Sequence, residues 1–148
     1  MPLTYEVREN VACITMDDGK VNAVTVELAE QLLAAIERAE SEAGAILLAG
    51  RAGKFSAGFD LKVMQGGDSE AANALLNLGG RVALRLMESP LPTVALCTGH
   101  ALAMGALILL ACDTRIGVAG DFKIGLNETA IGMALPVFGV EIPRVRLA

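Results

Sequence analysis

At 148 residues, 53% hydrophobic and only 3% aromatic, the chain has enough apolar material for one domain with an aliphatic core. Its net charge of -5, with Lys and Arg scattered singly, excludes the basic face that nucleic acid or an anionic membrane surface requires, and its longest uncharged apolar run, 101–112, is too short to span a bilayer. Cys13, Cys97 and Cys112 all sit in apolar runs, an odd number that suits buried thiols in a reducing compartment, and no export signal opens the chain, so a cytoplasmic protein is expected.

Residues 3–8 and 11–16 are short β-prone runs split by Glu9-Asn10, which predicts a hairpin closed by Asp17-Asp18-Gly19-Lys20. Residues 25–41 place Leu28, Leu32, Ala35, Ile36 and Ala39 on one helical face and Glu27, Glu30, Gln31, Glu37 and Arg38 on the other. The five apolar residues 45–49 predict a strand buried on both faces. It empties into Phe-Ser-Ala-Gly-Phe-Asp-Leu-Lys, 55–62, where an Ala-Gly pair lets the backbone come close to a ligand. Residues 69–88 read as a helix that Gly79-Gly80 is expected to kink or loosen. Pro90 and Pro92 then bracket the entry to a buried strand, 93–97. A glycine-marked turn follows and runs into an uncharged apolar helix from Met104 to Cys112. Short strands are expected at 113–118 and 121–124, and a last helix beginning at Pro143. The β-β-α order at 3–41 recurs less clearly downstream, which predicts an α/β spiral of repeated units in one domain over 1–148. A chain that stops inside a helix is expected to be the N-terminal part of a longer one.

The chemistry concentrates in three places. No Ser, Thr, Asp or Asn lies within five residues before Met104, so the first N–H groups of that helix lack a side-chain cap; on these residues alone the stretch is compatible with a core helix after a tight turn, and with a site for an anion or developing oxyanion. The Ala57-Gly58 turn offers a second backbone donor. Glu128 is the only acid between Asp121 and Glu141; its spacing is equally compatible with a catalytic carboxylate and with a solvated loop acid or a partner for Arg115 or Lys123. A nucleophilic triad fails on inventory, because His100 is the only histidine and no serine sits in an elbow motif. His100 itself reads as a packed, hydrogen-bonded side chain. The three cysteines and one histidine lack ligand spacing, so no metal site is expected.

At these residues the chain resembles the crotonase superfamily, the enoyl-CoA hydratase and isomerase family, along nearly its whole length. Residues 55–62 look like that family's first oxyanion motif, and 99–113, ending in Cys-Asp, like its second. The resemblance implies the crotonase-like (Clp protease/crotonase) spiral of β-β-α units without the family's C-terminal helical region, and trimers or hexamers in the full-length form. It implies that the N–H groups of Ala57 and Met104 hold a thioester oxygen, with Glu128 as the base. Ser56, Gly58, Phe59, Asp60, Leu61, Lys62, Gly105 and Leu107 would then line the acyl-CoA site. No cofactor is implied beyond the coenzyme A of the substrate. Leu107 stands where the family's hydratases carry the first of two catalytic glutamates, and Gly-Leu-Asn-Glu-Thr, 125–129, looks most like the enoyl-CoA isomerases. The implied reaction is therefore conversion of a 3-enoyl-CoA to a 2-enoyl-CoA, as in fatty acid oxidation. A hydratase, and an inactive acyl-CoA- or subunit-binding remnant, are the alternatives.

Overall fold

The computed structural model describes residues 1–147. Strands β1 (Leu3–Arg8) and β2 (Val11–Met16) form the expected antiparallel hairpin, with Arg8 opposite Val11. Glu9 and Asn10 both take positive φ, the geometry that matches the twist of a two-residue hairpin loop. After β3 (Ala23–Val24), helix α1 (Val26–Glu42) starts where the Thr25 hydroxyl accepts the Leu28 N–H at 3.1 Å. Its apolar face is buried, as the spacing predicted.

The chain continues through β4 (Ala45–Ala49), β5 (Gly53–Ser56), β6 (Gly58–Phe59), the short helix α2 (Leu61–Met64) and the long helix α3 (Ser69–Glu88). Then come β7 (Thr93–Cys97), β8 (Gly99–Leu102), helix α4 (Met104–Ala111), β9 (Thr114–Gly117), β10 (Ile124–Gly125), a single 3-10 turn at Thr129–Ile131 and helix α5 (Val137–Arg146). The strands form a five-stranded sheet ordered β1-β2-β4-β7-β9, a three-stranded sheet β10-β8-β5 and the pair β3-β6. All pairings but the hairpin are parallel among these strands. Each of β2, β4, β7 and β9 is followed by strands of a smaller sheet and then by helix, so the β-β-α unit seen at 3–41 does recur.

Helix α4 sits innermost: its residues from Met104 to Leu109 and Ala111 are buried, which is why it reads as apolar all round. It packs against α3 and α5, and α3 against α1. Its far end is pinned by Asp113, whose Oδ2 accepts both the N–H and the hydroxyl of Thr93 at 2.9 and 3.0 Å. Among the described residues no helix is long and apolar enough to cross a membrane.

Four expectations are corrected. Helix α3 runs unbroken through Gly79-Gly80, because these glycines serve packing: a Cβ on Gly79 would lie 2.5 Å from the Phe59 ring, and one on Gly80 3.1 Å from Phe138. Residues 99–102 are strand and not turn. Gly99 lies opposite Gly53 so closely that a Cβ there would sit 2.0 Å from the Gly53 backbone, so this glycine marks close strand approach. The strand expected at 121–124 is shifted to Ile124–Gly125, where pairing with Ala101 and Leu102 of β8 decides the register. Helix α5 begins after Pro136, which caps it, and carries Pro143 inside; there the missing N–H forfeits only the bond to the Gly139 carbonyl.

Candidate active site

Two glycine-bearing segments are locked together at the N-terminus of α4. Gly58, with φ +90°, approaches so near that a Cβ on it would meet Ala103 Cβ at 2.7 Å, the Leu102 carbonyl at 2.9 Å and the Met104 nitrogen at 3.2 Å. Gly105 is held equally tightly, since its Cβ would lie 2.5 Å from the Ser56 carbonyl. The close backbone approach anticipated at 55–62 is therefore made against the second motif.

Helix α4 opens with no side-chain cap. Its first helical bond runs from the Leu107 N–H to the Ala103 carbonyl at 3.1 Å, so the N–H groups of Met104, Gly105 and Ala106 have no partner within the helix. Ala103 adopts φ 50° and ψ -122°, a conformation ordinarily left to glycine. Backbone strain of this kind collects at functional sites.

The second donor is not the expected one. The Ala57 N–H already donates to the Val21 carbonyl at 3.0 Å. The positive φ of Gly58 reorients the chain after Ala57, and the Asp60 N–H donates to Val24 of β3 at 3.1 Å. Because successive N–H groups of a strand point to opposite sides, that of Phe59 is directed away from β3. The donor pair presented at this junction is Phe59 and Met104.

What holds the first segment is a residue that motif reasoning missed. Asn22 is fully buried with φ 53°; its amide donates to the Met16 and Phe55 carbonyls at 2.9 and 3.1 Å and its Oδ1 accepts the Asp18 N–H at 2.9 Å. The Ser56 hydroxyl donates to the Asn22 carbonyl at 2.7 Å and accepts the Gly58 N–H at 3.1 Å. Ser56 is thus a completely buried brace and does not face a ligand, contrary to expectation. The only sequence signal was one amide in the apolar stretch from Val21 to Val24.

A cavity of about 300 Å³ lies beside this junction, lined by Ala57, Phe59, Leu61, Ala103, Leu107 and Glu128 among others. Asp60 does not line it, and instead caps α2 by accepting the Lys62 N–H at 3.0 Å. Lys62 is exposed outside it. Gly58, Met104 and Gly105 are buried and do not line it, so the lining role expected of the two glycines is not seen.

Glu128 is only 8% exposed, and its Oε2 is sealed from water without a hydrogen-bond partner among the described residues. It forms no ion pair among the described residues; Arg115 instead donates to the Cys112 carbonyl at 2.8 Å. The solvated-acid and ion-pair readings are both removed. A buried, unsatisfied carboxylate oxygen costs free energy, so its retention beside a cavity points to use there. The Glu128 loop is tied to the start of α4 through β10, where the Ala103 N–H donates to the Gly125 carbonyl at 2.9 Å. Among the described residues the cavity is lined by no second acid, base or cation; Asn127 is its other polar side chain.

His100 lies outside this cavity: its Nδ1 accepts the Lys123 N–H at 3.0 Å and its ring meets Phe122 edge-on at 5.3 Å, the packed histidine expected. No cluster able to hold a metal ion occurs among the described residues.

The sequence profile of the enoyl-CoA hydratase/isomerase family matches residues 6–145. A probable enoyl-CoA hydratase of Bacillus subtilis is 31% identical over 96% of this chain and 56% of its own length. The human mitochondrial enoyl-CoA delta isomerase 1 is 34% identical over 85% of this chain and 43% of its own. The chain thus spans about half the length of these curated relatives. A solved structure of an enoyl-CoA hydratase/isomerase family protein from Pseudomonas syringae superposes with a TM-score of 0.93 at 41% identity, covering 97% of this chain and 62% of that one. With two interlocked backbone motifs, the expected spiral of units and a profile matched almost end to end, the chain belongs to the crotonase superfamily, in the enoyl-CoA hydratase/isomerase family.

Proposed function

We propose that the protein to which this chain belongs moves the double bond of a 3-enoyl-CoA thioester to the 2-position. The observation that carries this reading is the single carboxylate of the cavity, Glu128, in a lining that includes the apolar Leu107. Adding water across a double bond requires one group to activate the water and another to deliver a proton. Moving the bond requires one group that takes a proton and gives it back.

In this scheme Glu128 removes a proton from C2, and the C–H electron pair moves toward the thioester carbonyl. The resulting dienolate oxygen is held by the Phe59 and Met104 N–H groups; one such donor typically contributes about 3 to 4 kcal/mol to a transition state. The oxygen pair then re-forms the carbonyl, the C1–C2 pair becomes the 2,3 double bond, and the pair of the old 3,4 double bond takes the proton from the Glu128 carboxyl at C4. Atoms and charge balance with no further cofactor, and apolar walls keep water from intercepting the dienolate. The reading extends to a homotrimer or a dimer of trimers, for which sedimentation is the test.

The deciding experiment is Glu128→Gln in the full-length protein. Turnover of a 3-enoyl-CoA should fall by about 100-fold or more, while calorimetric binding of a saturated acyl-CoA persists. Near-normal turnover would remove Glu128 from the chemistry. Rapid hydration of a 2-enoyl-CoA by the unsubstituted protein would replace the isomerase with the hydratase, a name that relatives also carry.

A further inference from the structure

A second concavity of about 450 Å³ runs between α3 and α5, lined by Leu76, Gly80, Leu84, Phe138, Ile142 and Val145 along its apolar floor and walls. Arg81 and Glu141 also line it. Among the described residues, one side chain is common to this groove and to the reaction cavity: Leu76. The neighbouring boundary is made by the start of α5, where Pro136 lines the cavity and Phe138 lines the groove over Gly80. Helix α3 therefore presents Gly79 to the reaction layer, Gly80 to the groove, and Leu76 to both.

The reaction cavity alone stands at the lower end of the roughly 300 to 1,000 Å³ typical of small-molecule pockets. The groove would more than double it. We infer that Leu76 is a gate between the two spaces, and that its size sets how long an acyl chain the site accepts, the distal methylenes of longer chains passing into the α3/α5 groove. The inference rests on the acyl-CoA reading above. The groove's lining matches that occupant, because a run of methylenes needs apolar surface and no polar partner. Leu76 is only partly buried, so its side chain can be changed without opening the core.

The test measures affinity by calorimetry for saturated acyl-CoA thioesters from butanoyl- to hexadecanoyl-CoA, with the full-length protein. Each methylene that finds apolar room tightens binding about fourfold, so the affinity series rises and then breaks where the accessible space is full. Leu76→Ala should move that break to longer chains and raise the ratio of long- to short-chain affinity about tenfold or more. Leu76→Trp should move it to shorter ones. Adding Leu84→Arg, at a residue that lines the groove and not the reaction cavity, should cancel the gain of Leu76→Ala. An unmoved break in both Leu76 variants overturns the gate, as does a gain that survives Leu84→Arg. Turnover of 3-enoyl-CoA is scored separately: a shifted break without turnover sinks the isomerase reading and leaves the gate standing, whereas turnover with an unshifted break does the reverse.

Discussion

Gly58 and Ala103 face each other across the junction of the two motifs, and they make opposite demands. Gly58 has no room for a methyl group and a positive φ that L side chains rarely adopt. Gly58→Ala should destabilise the protein by about 2 kcal/mol, and should lower turnover further by pushing Phe59 and Met104 apart; paired denaturation and kinetic measurements separate the two effects. Ala103 already carries a methyl group in a conformation suited to glycine, so Ala103→Gly should relieve strain and raise stability by about 1 kcal/mol. At this scale the sequence was legible for residue type and less so for direction. The Ala-Gly pair located the close approach, but which N–H remains free depends on the bond from Ala57 to Val21, a residue more than thirty positions away in the chain. Glu128 stood out as a lone acid, and its burial needed the fold.

Among the elements, α3 best shows how packing overrides propensity. Two adjacent glycines in a helix each cost about 1 kcal/mol relative to alanine, which on local grounds predicts a weak point. Their neighbours reverse that judgement: Gly79 makes room for the Phe59 ring and the Met104 thioether, Gly80 for Phe138. Gly79→Ala should therefore destabilise in spite of its better propensity and reduce activity by moving Phe59. Gly80→Ala, with a looser contact, should change stability by less than about 1 kcal/mol. Urea denaturation of the two variants gives the comparison, and equal stabilisation of both would refute this account of α3. The amphipathic helix α1 and the strands β1, β2, β4 and β7 were readable because one period or one apolar run dictates each. By contrast β3, β6 and β10 are two residues long and exist only through their partners, so no local pattern announces them.

Over the whole molecule, the buried thiols set an alkaline limit. Burial pushes Cys112 up to about 12 from an ordinary 9.0, with the Asp113 carboxylate adding to the shift, and Cys97 is also raised by burial. A thiol held neutral in the fold and free to ionise when unfolded contributes stability that is complete below about pH 9 and is lost as pH rises toward 12. Between about pH 8 and pH 10 the Cys112 contribution should fall by about 1.4 kcal/mol. Cys112→Ala should show a correspondingly shallower loss of stability over that interval, measured by chemical denaturation. In the native protein Cys97 and Cys112 should resist alkylation at neutral pH, because the thiolate is the reactive form.

The segment bearing Glu128 is joined to the rest by the two-residue strand β10, through the Ala101 N–H to the Lys123 carbonyl and the Ala103 N–H to the Gly125 carbonyl. Strand β4, by comparison, is flanked on both sides by long parallel partners. Amide hydrogens at Ala101 and Ala103 should therefore exchange with solvent deuterium through a local opening well below the free energy of global unfolding, while those of β4 wait for the whole domain to open. Such an opening separates Glu128 from the N-terminus of α4. A thioester bridging both sides of the junction would slow exchange at these two amides first, so that ligand occupancy is written in their deuterium uptake even when no product forms.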